Sequence, residues 1–249
     1  MAPSFGGTGN YVGSFEVFLE RWFARQQNLL EELLRTEETY HESQDQDGIR
    51  ELIDRVIAHY QEYLSENSRM ANRCTFLMFS PTWLSPLEKA LLWIAGFKPG
   101  LALHLVTSSV SDLSENQRQR IERLKHETKM EEKLLADELS SIQESVAAPP
   151  LAEVAKEEGR RQLMEGEIIE TPDSELETLR SAVQSLLIRA DLLRARTVQV
   201  VVETLSPLQN VKFFAAGIQF QIRIRMLGRQ REAEQPRHEV MVGRFSSTL

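Results

Sequence analysis

Residues 80–100 read SPTWLSPLEKALLWIAGFKPG. The stretch holds Trp83 and Trp93, two of the three tryptophans, and the prolines Pro81, Pro86 and Pro99. Ser85 followed by Pro86 is a helix start, because serine accepts from an orphan N–H and proline at the first helical position loses no bond. Leu87, Ala90, Leu91 and Ile94 then repeat at helical spacing. Glu88 lies in the first turn, where a carboxylate suits the positive end of the helix dipole. Gly96 is the expected stop, and Pro99 prevents continuation. A helix this apolar is expected to be buried, as the hub of the core. On that reading Trp93→Ala costs ~3–5 kcal/mol, as for any large buried aromatic.

Working outward, other segments carry the same 3.6-residue period. Phe15, Phe18, Leu19, Trp22, Phe23, Leu29, Leu30, Leu33 and Leu34 form one stripe from Ser14 to about Glu38, interrupted by Gln26. A glutamine there is expected to turn aside or to bond within the bundle. Leu52, Ile53, Val56, Ile57, Tyr60 and Leu64 form a second helix, starting at Ile49 and free to run to Phe79. Ser114 and Gln117 have capping-box spacing ahead of a long helix with Ile121, Leu124, Thr128, Leu135, Leu139, Ile142 and Val146 on one face. Its charged run KHETKMEEK is expected to be solvated. Residues 151–166 read as a weaker charged helix. Thr171-Pro172 opens the next strong stripe, from Leu176 to Val201, and Ser206-Pro207 repeats the cap-plus-proline start.

The segment after Ser206-Pro207 is ambiguous. Phe220, Ile222, Ile224 and Met226 alternate with Gln221, Arg223 and Arg225, which is strand periodicity. Helix is preferred, because no second strand offers itself and a lone strand is unstable. The expected fold is all-α: a single bundle of long amphipathic helices around the short tryptophan helix. It spans 14–228, after a Gly-rich disordered leader (1–13) and before a flexible tail (229–249).

Composition narrows the function. The 249 residues are 41% hydrophobic, with a net charge of −8. An acidic chain is poorly suited to nonspecific nucleic-acid binding. The lone Cys74 excludes an internal disulfide and fits a reducing, intracellular compartment, nucleus or cytoplasm. No apolar run reaches the roughly 20 residues of a membrane span, and the N-terminus lacks a secretory-signal layout. No Gly-x-Ser-x-Gly elbow, His-Glu-x-x-His or Cys-x-x-Cys motif occurs. Glu122 and His126 make half a metal site at most, and Cys74 beside Arg73 reads as a small hydrophobe. The chain is therefore not expected to be an enzyme. Partner binding is the better reading: Arg223, Arg225, Arg229 and Arg231 make the last segment basic. Ile218-Gln219 with Arg223 opens a calmodulin-type IQ pattern that Gly228 interrupts. The candidate partner-binding set is Ile218, Gln219, Arg223, Arg225 and Arg229.

Ser80-Pro81-Thr82-Trp83, Ser85-Pro86-Leu87-Glu88 and Ala90–Ile94 resemble the signature of the plant Delay-of-Germination domain. So do FEVFLERWFARQ (15–26), IQESVAAPPL (142–151) and ADLLRARTVQVVVETLSPLQNVKFFAAG (190–217), which includes Ser206 and Pro207. The resemblance runs from about Phe15 to Gly228. The same domain forms the C-terminal half of the TGA bZIP transcription factors. The resemblance implies an all-α regulatory module that engages proteins such as coactivators, type 2C phosphatases or calmodulin, in transcriptional, hormone, stress or dormancy signalling. A bZIP reader needs a continuous basic helix, and only the Gly-rich leader stands ahead of the domain, so DNA binding is not expected. Seed-dormancy members resemble haem binders through two histidines four residues apart, after Ser-Pro-x-Gln. The matching positions are Gln221 and Arg225, so no cofactor is expected. The alternative reading is a sensor holding an acyl chain or other apolar ligand near Trp83 and Trp93.

Overall fold

The computed structural model describes residues 6–43, 45–145 and 173–245, with side chains placed in 11–40, 45–145 and 176–234. The described helices are α1 Gly6–Ser43, α2 Gln46–Arg73, α3 Pro86–Ala90, α4 Gly100–Ser109, α5 Glu115–Ser145, α6 Asp173–Thr204 and α7 Pro207–Phe245. A 3-10 turn, Thr75–Phe79, follows α2, and no strand occurs among these residues. The class is all-α, as the spacing predicts. The expected weak helix at 151–166 lies outside the described residues.

Helix α1 packs along α2 and α7, and α5 packs along α6. Glu131 pairs with Arg196, Glu138 with Arg189 at 2.5 Å and Arg120 with Glu203 at 3.7 Å, which makes α5 and α6 antiparallel. Two apolar clusters fill the bundle. One joins Leu29, Leu33, Ile53 and Val56 to Leu103, Val106, Ile121, Val201 and Ile218. The other joins Phe15 and Leu19 to Met70, Met78, Leu135, Leu186 and Ala190. Apart from Met70, Met78, Leu103, Val106 and Ile218, these residues belong to the stripes read from the sequence, turned toward each other because each helix has only one apolar face to bury.

The tryptophan stretch departs from expectation. Helix α3 has its capping box, with the Ser85 N–H donating to Glu88 Oε2 at 2.8 Å, but it ends at Ala90 and none of its residues is buried. Leu91 is 51% exposed, and Trp83 and Trp93 are only partly buried against the second cluster. The hub expected here is a cover. The cause is Arg194 of α6, which is 3% exposed. Its Nε donates to the Phe97 carbonyl at 2.7 Å, and Nη2 donates to those of Trp93 at 2.5 Å and Ile94 at 2.8 Å. Those carbonyls turn toward α6, and the chain reverses through an isolated Trp93–Gly96 bridge with positive φ at Ile94 (45°) and Ala95 (59°). A β-branched residue held there is strained. Gly96 fits because a Cβ would stand 2.6 Å from the Arg194 guanidinium carbon.

Other limits shift for physical reasons. Helix α1 begins at Gly6, inside the expected leader, and the ring of Tyr11 carries the Arg73 guanidinium at 3.9 Å. The second helix stops at Arg73 rather than Phe79, where Cys74 caps it by donating to the Met70 carbonyl. Helix α7 continues through the expected tail to Phe245. Arginine, glutamine, glutamate and alanine are good helix formers, and Gln230 donates to Glu234 one turn on at 3.1 Å. Within the supposedly solvated run of α5, Glu132 is 6% exposed. Its carboxylate accepts from the Gly100 N–H at 2.7 Å and so caps α4.

Candidate functional site

Helix α7 organises the site. Ser206 caps it: Gln209 N–H donates to Ser206 Oγ at 3.4 Å, and Ser206 N–H donates to Gln209 Oε1 at 2.9 Å. Pro207 follows as the first helical residue. Val211, Phe214, Ala215 and Ile218 are then buried in the first cluster.

Farther along, the inward side turns polar. Gln221 Oε1 accepts from the Tyr60 hydroxyl at 2.9 Å and from Gln26 Nε2. Gln26 also donates to the Tyr60 oxygen at 3.2 Å and is fully buried, which is how the interruption of the α1 stripe is resolved. Burial raises the Tyr60 phenol above its ordinary pKa, so it acts as a neutral donor. One turn on, Arg225 sits 3.9 Å over the Phe23 ring and pairs with Glu88 at 3.3 Å. Glu88 also accepts from Ser85 Oγ at 2.7 Å. Gly228 passes so close to Ser85 that a Cβ would overlap its hydroxyl. The Ser85-Pro86-Leu87-Glu88 signature is thus a clamp on α7.

Beside this knot, Trp22 donates to the His59 carbonyl at 2.9 Å and stacks on its ring at 4.3 Å and 7°. Burial, with a smaller contribution from Arg25, lowers the His59 pKa to about 4. The folded protein therefore keeps His59 neutral where the unfolded chain, near 6.5, takes a proton. Stability is expected to fall as pH drops from about 6.5 to about 4, by on the order of 2 kcal/mol from this group. Urea titrations across that range check it. The wild type should lose that amount relative to His59→Gln, and parallel curves would refute the assignment.

The outward side of α7 is different. Gln219, Phe220, Arg223, Met226, Leu227, Arg229 and Arg231 are exposed, Met226 by 64% and Leu227 by 48%. Arg223, Arg229 and Arg231 form no ion pair among the described residues. The expected partner set therefore divides. Ile218 is in the core and Arg225 is committed to Glu88, while Gln219, Arg223 and Arg229 face solvent. Sequence reasoning missed Phe220, Met226 and Leu227 as surface residues. A signal existed: at 100° per residue, Phe220 and Leu227 fall about 160–180° from the buried Ile218.

The haem positions of the resemblance are occupied by an amide accepting two hydrogen bonds and a guanidinium in an ion pair. Neither is an iron ligand, so these residues do not fit the group. Glu122 pairs with Lys125 at 3.2 Å, and no group of three metal-ligating side chains occurs among the described residues. Two shallow grooves, one between α1 and α2 at Arg25, Glu32, Arg55 and His59, the other at Val110, Arg118 and Ile121, lie away from Trp83 and Trp93. No described helix is long and apolar enough to cross a membrane.

Comparison with known proteins bears on these features. The family model described as seed dormancy control matches residues 27–108, which carry Tyr60, Ser85 and Glu88. Protein ZW2 of Arabidopsis thaliana is 35% identical over 220 residues, covering 86% of this chain and 96% of that protein. Protein RESPONSE TO ABA AND SALT 1, also of Arabidopsis thaliana, is 31% identical over 217 residues, covering 85% and 94%. Transcription factor TGA2.3 of Oryza sativa subsp. japonica is 23% identical over 229 residues, covering 88% of this chain and 65% of that protein.

Proposed function

The chain belongs to the seed dormancy control (DOG1) family, and from that premise we propose that it is a non-enzymatic, protein-binding regulator in plant transcriptional or hormone, stress and dormancy signalling, at work in the nucleus or cytoplasm. The observation that carries the reading is the division of α7. Its inner side is spent on the core and the Glu88 clamp, and its outer side presents exposed apolar side chains beside arginines that form no ion pair among the described residues. Such a face offers contacts and no nucleophile or base, which suits binding rather than turnover. The relation to TGA factors, and to a protein named for its response to ABA and salt, supports regulation as the setting.

Affinity purification of tagged protein from plant tissue tests this. The wild type is expected to recover transcription or signalling proteins, and Arg223→Glu/Arg231→Glu to lose them. Recovery of none by the wild type overturns the reading. Cutting the chain after Leu205 is a poor control, because it removes Val211, Phe214 and Ile218 from the core.

The same reading includes no haem. Titration with hemin is expected to give no Soret band beyond that of free hemin. A band lost on replacing one histidine would refute this.

A further inference from the structure

The outer side of α7 carries a pattern more specific than general exposure. Phe220, Arg223, Leu227 and Arg231 follow one another at helical spacing on one exposed strip about 16 Å long. Met226 and Gln219 flank it on one side. From Gln219 to Arg231 the sequence holds four arginines and no carboxylate, and only Arg225 is turned inward to Glu88. Gly228 is the last buried residue described in α7, and Arg229–Glu234 are exposed throughout. The strip therefore runs off the bundle as a projecting helix with nothing described against its outer side.

We propose that this strip docks an acidic amphipathic helix of the partner, with Phe220 and Leu227 as apolar anchors and Arg223 and Arg231 pairing its carboxylates. This deepens, and rests on, the protein-binding reading above. The width favours a helix: a single row of anchors with basic residues between them matches one amphipathic face laid alongside. The charge favours an acidic partner, because arginines without ion pairs gain most from a carboxylate that shields them from water. An anionic membrane fits less well. The protein carries a net charge of −8, and a broad surface would face that whole field, whereas a helix touches only the strip. Membrane docking also needs a denser basic cluster than three exposed arginines.

The test selects helical peptides of about 12–16 residues, displayed without charge bias, on the full-length chain, with Leu227→Asp protein as competitor. The expected winners carry more Asp and Glu than Lys and Arg, with their apolar residues on one face. A synthetic copy of the best should bind the wild type about tenfold or more tighter than Leu227→Asp or Arg223→Glu/Arg231→Glu, and more weakly as salt rises. These positions are exposed, so both variants should melt with the wild type, which circular dichroism checks. Neutral or basic winners, or equal binding to the variants, overturn the proposal. So does arginine-dependent binding to phosphatidylserine vesicles without peptide discrimination, or a dimer of the chain abolished by Leu227→Asp. The two readings fail separately. Plant partners that stay bound to Leu227→Asp would refute the strip alone, whereas a wild type that captures none refutes the binding function itself.

Discussion

Replacing Arg194 by alanine is expected to lower stability by about 3–5 kcal/mol, the range for breaking a buried charged network from one side. The side chain is 3% exposed and makes four hydrogen bonds: to the carbonyls of Trp93, Ile94 and Phe97, and to Asp191 Oδ1 at 2.6 Å. Burial lowers its pKa, and Asp191 opposes that shift. Arginine stays charged regardless, because its starting value is so high. Removing it takes a donor from three carbonyls, of which that of Trp93 keeps the Gly96 N–H at 3.2 Å, and leaves Asp191 without its cation. The reversal at Ile94 and Ala95 then loses what holds it against an unfavourable φ. Lysine is not expected to rescue, since a point ammonium cannot reproduce a planar fork across a carboxylate and three carbonyls. Urea unfolding measures both variants. A loss below about 1 kcal/mol for alanine, or full rescue by lysine, would show that the turn stands without Arg194.

The second large effect is expected at Trp22. Trp22→Ala should cost about 3–5 kcal/mol, since the indole is 3% exposed and packs edge-on to Phe23 and Tyr60 as well as stacking on His59. Trp22→Phe keeps most of that packing but leaves the His59 carbonyl without the indole donor, so it should cost about 1–3 kcal/mol. Spacing alone assigns the larger figure to Trp93, which is only partly buried. The order of the two alanine variants in thermal melts is therefore diagnostic. A larger loss at Trp93 than at Trp22 would mean that the buried aromatic centre has been misplaced.

These two residues show how far the sequence could be read. Trp22 was visible as a member of the α1 stripe, because burial on one face of a long helix leaves a period in the residues themselves. Its rank above Trp93 was not visible, since both are tryptophans at apolar helical positions. Arg194 stands four residues after Ala190 and three before Thr197, on the α6 stripe, but spacing names no partner for a buried guanidinium, so it reads as one more charged residue of an amphipathic helix. Glu132 was placed with solvent for the same reason. The candidate site divides along the same line. The cluster of arginines after Ser206 was plain in the sequence, whereas the turning inward of Arg225 depends on Glu88, which lies far away along the chain.

By itself the sequence determined the all-α class, the main helices and their buried stripes, the serine-proline caps at Ser85 and Ser206, and a basic last segment. Each of these is written in residues within a few turns of one another, where helix geometry fixes what meets what. Tertiary structure alone decided that α3 stops after Ala90, which groups receive the charges of Glu132 and Arg194, and which arginines of α7 stay exposed. A charged side chain goes inside only where a distant donor or acceptor compensates its lost water, and that match exists only once the helices are assembled.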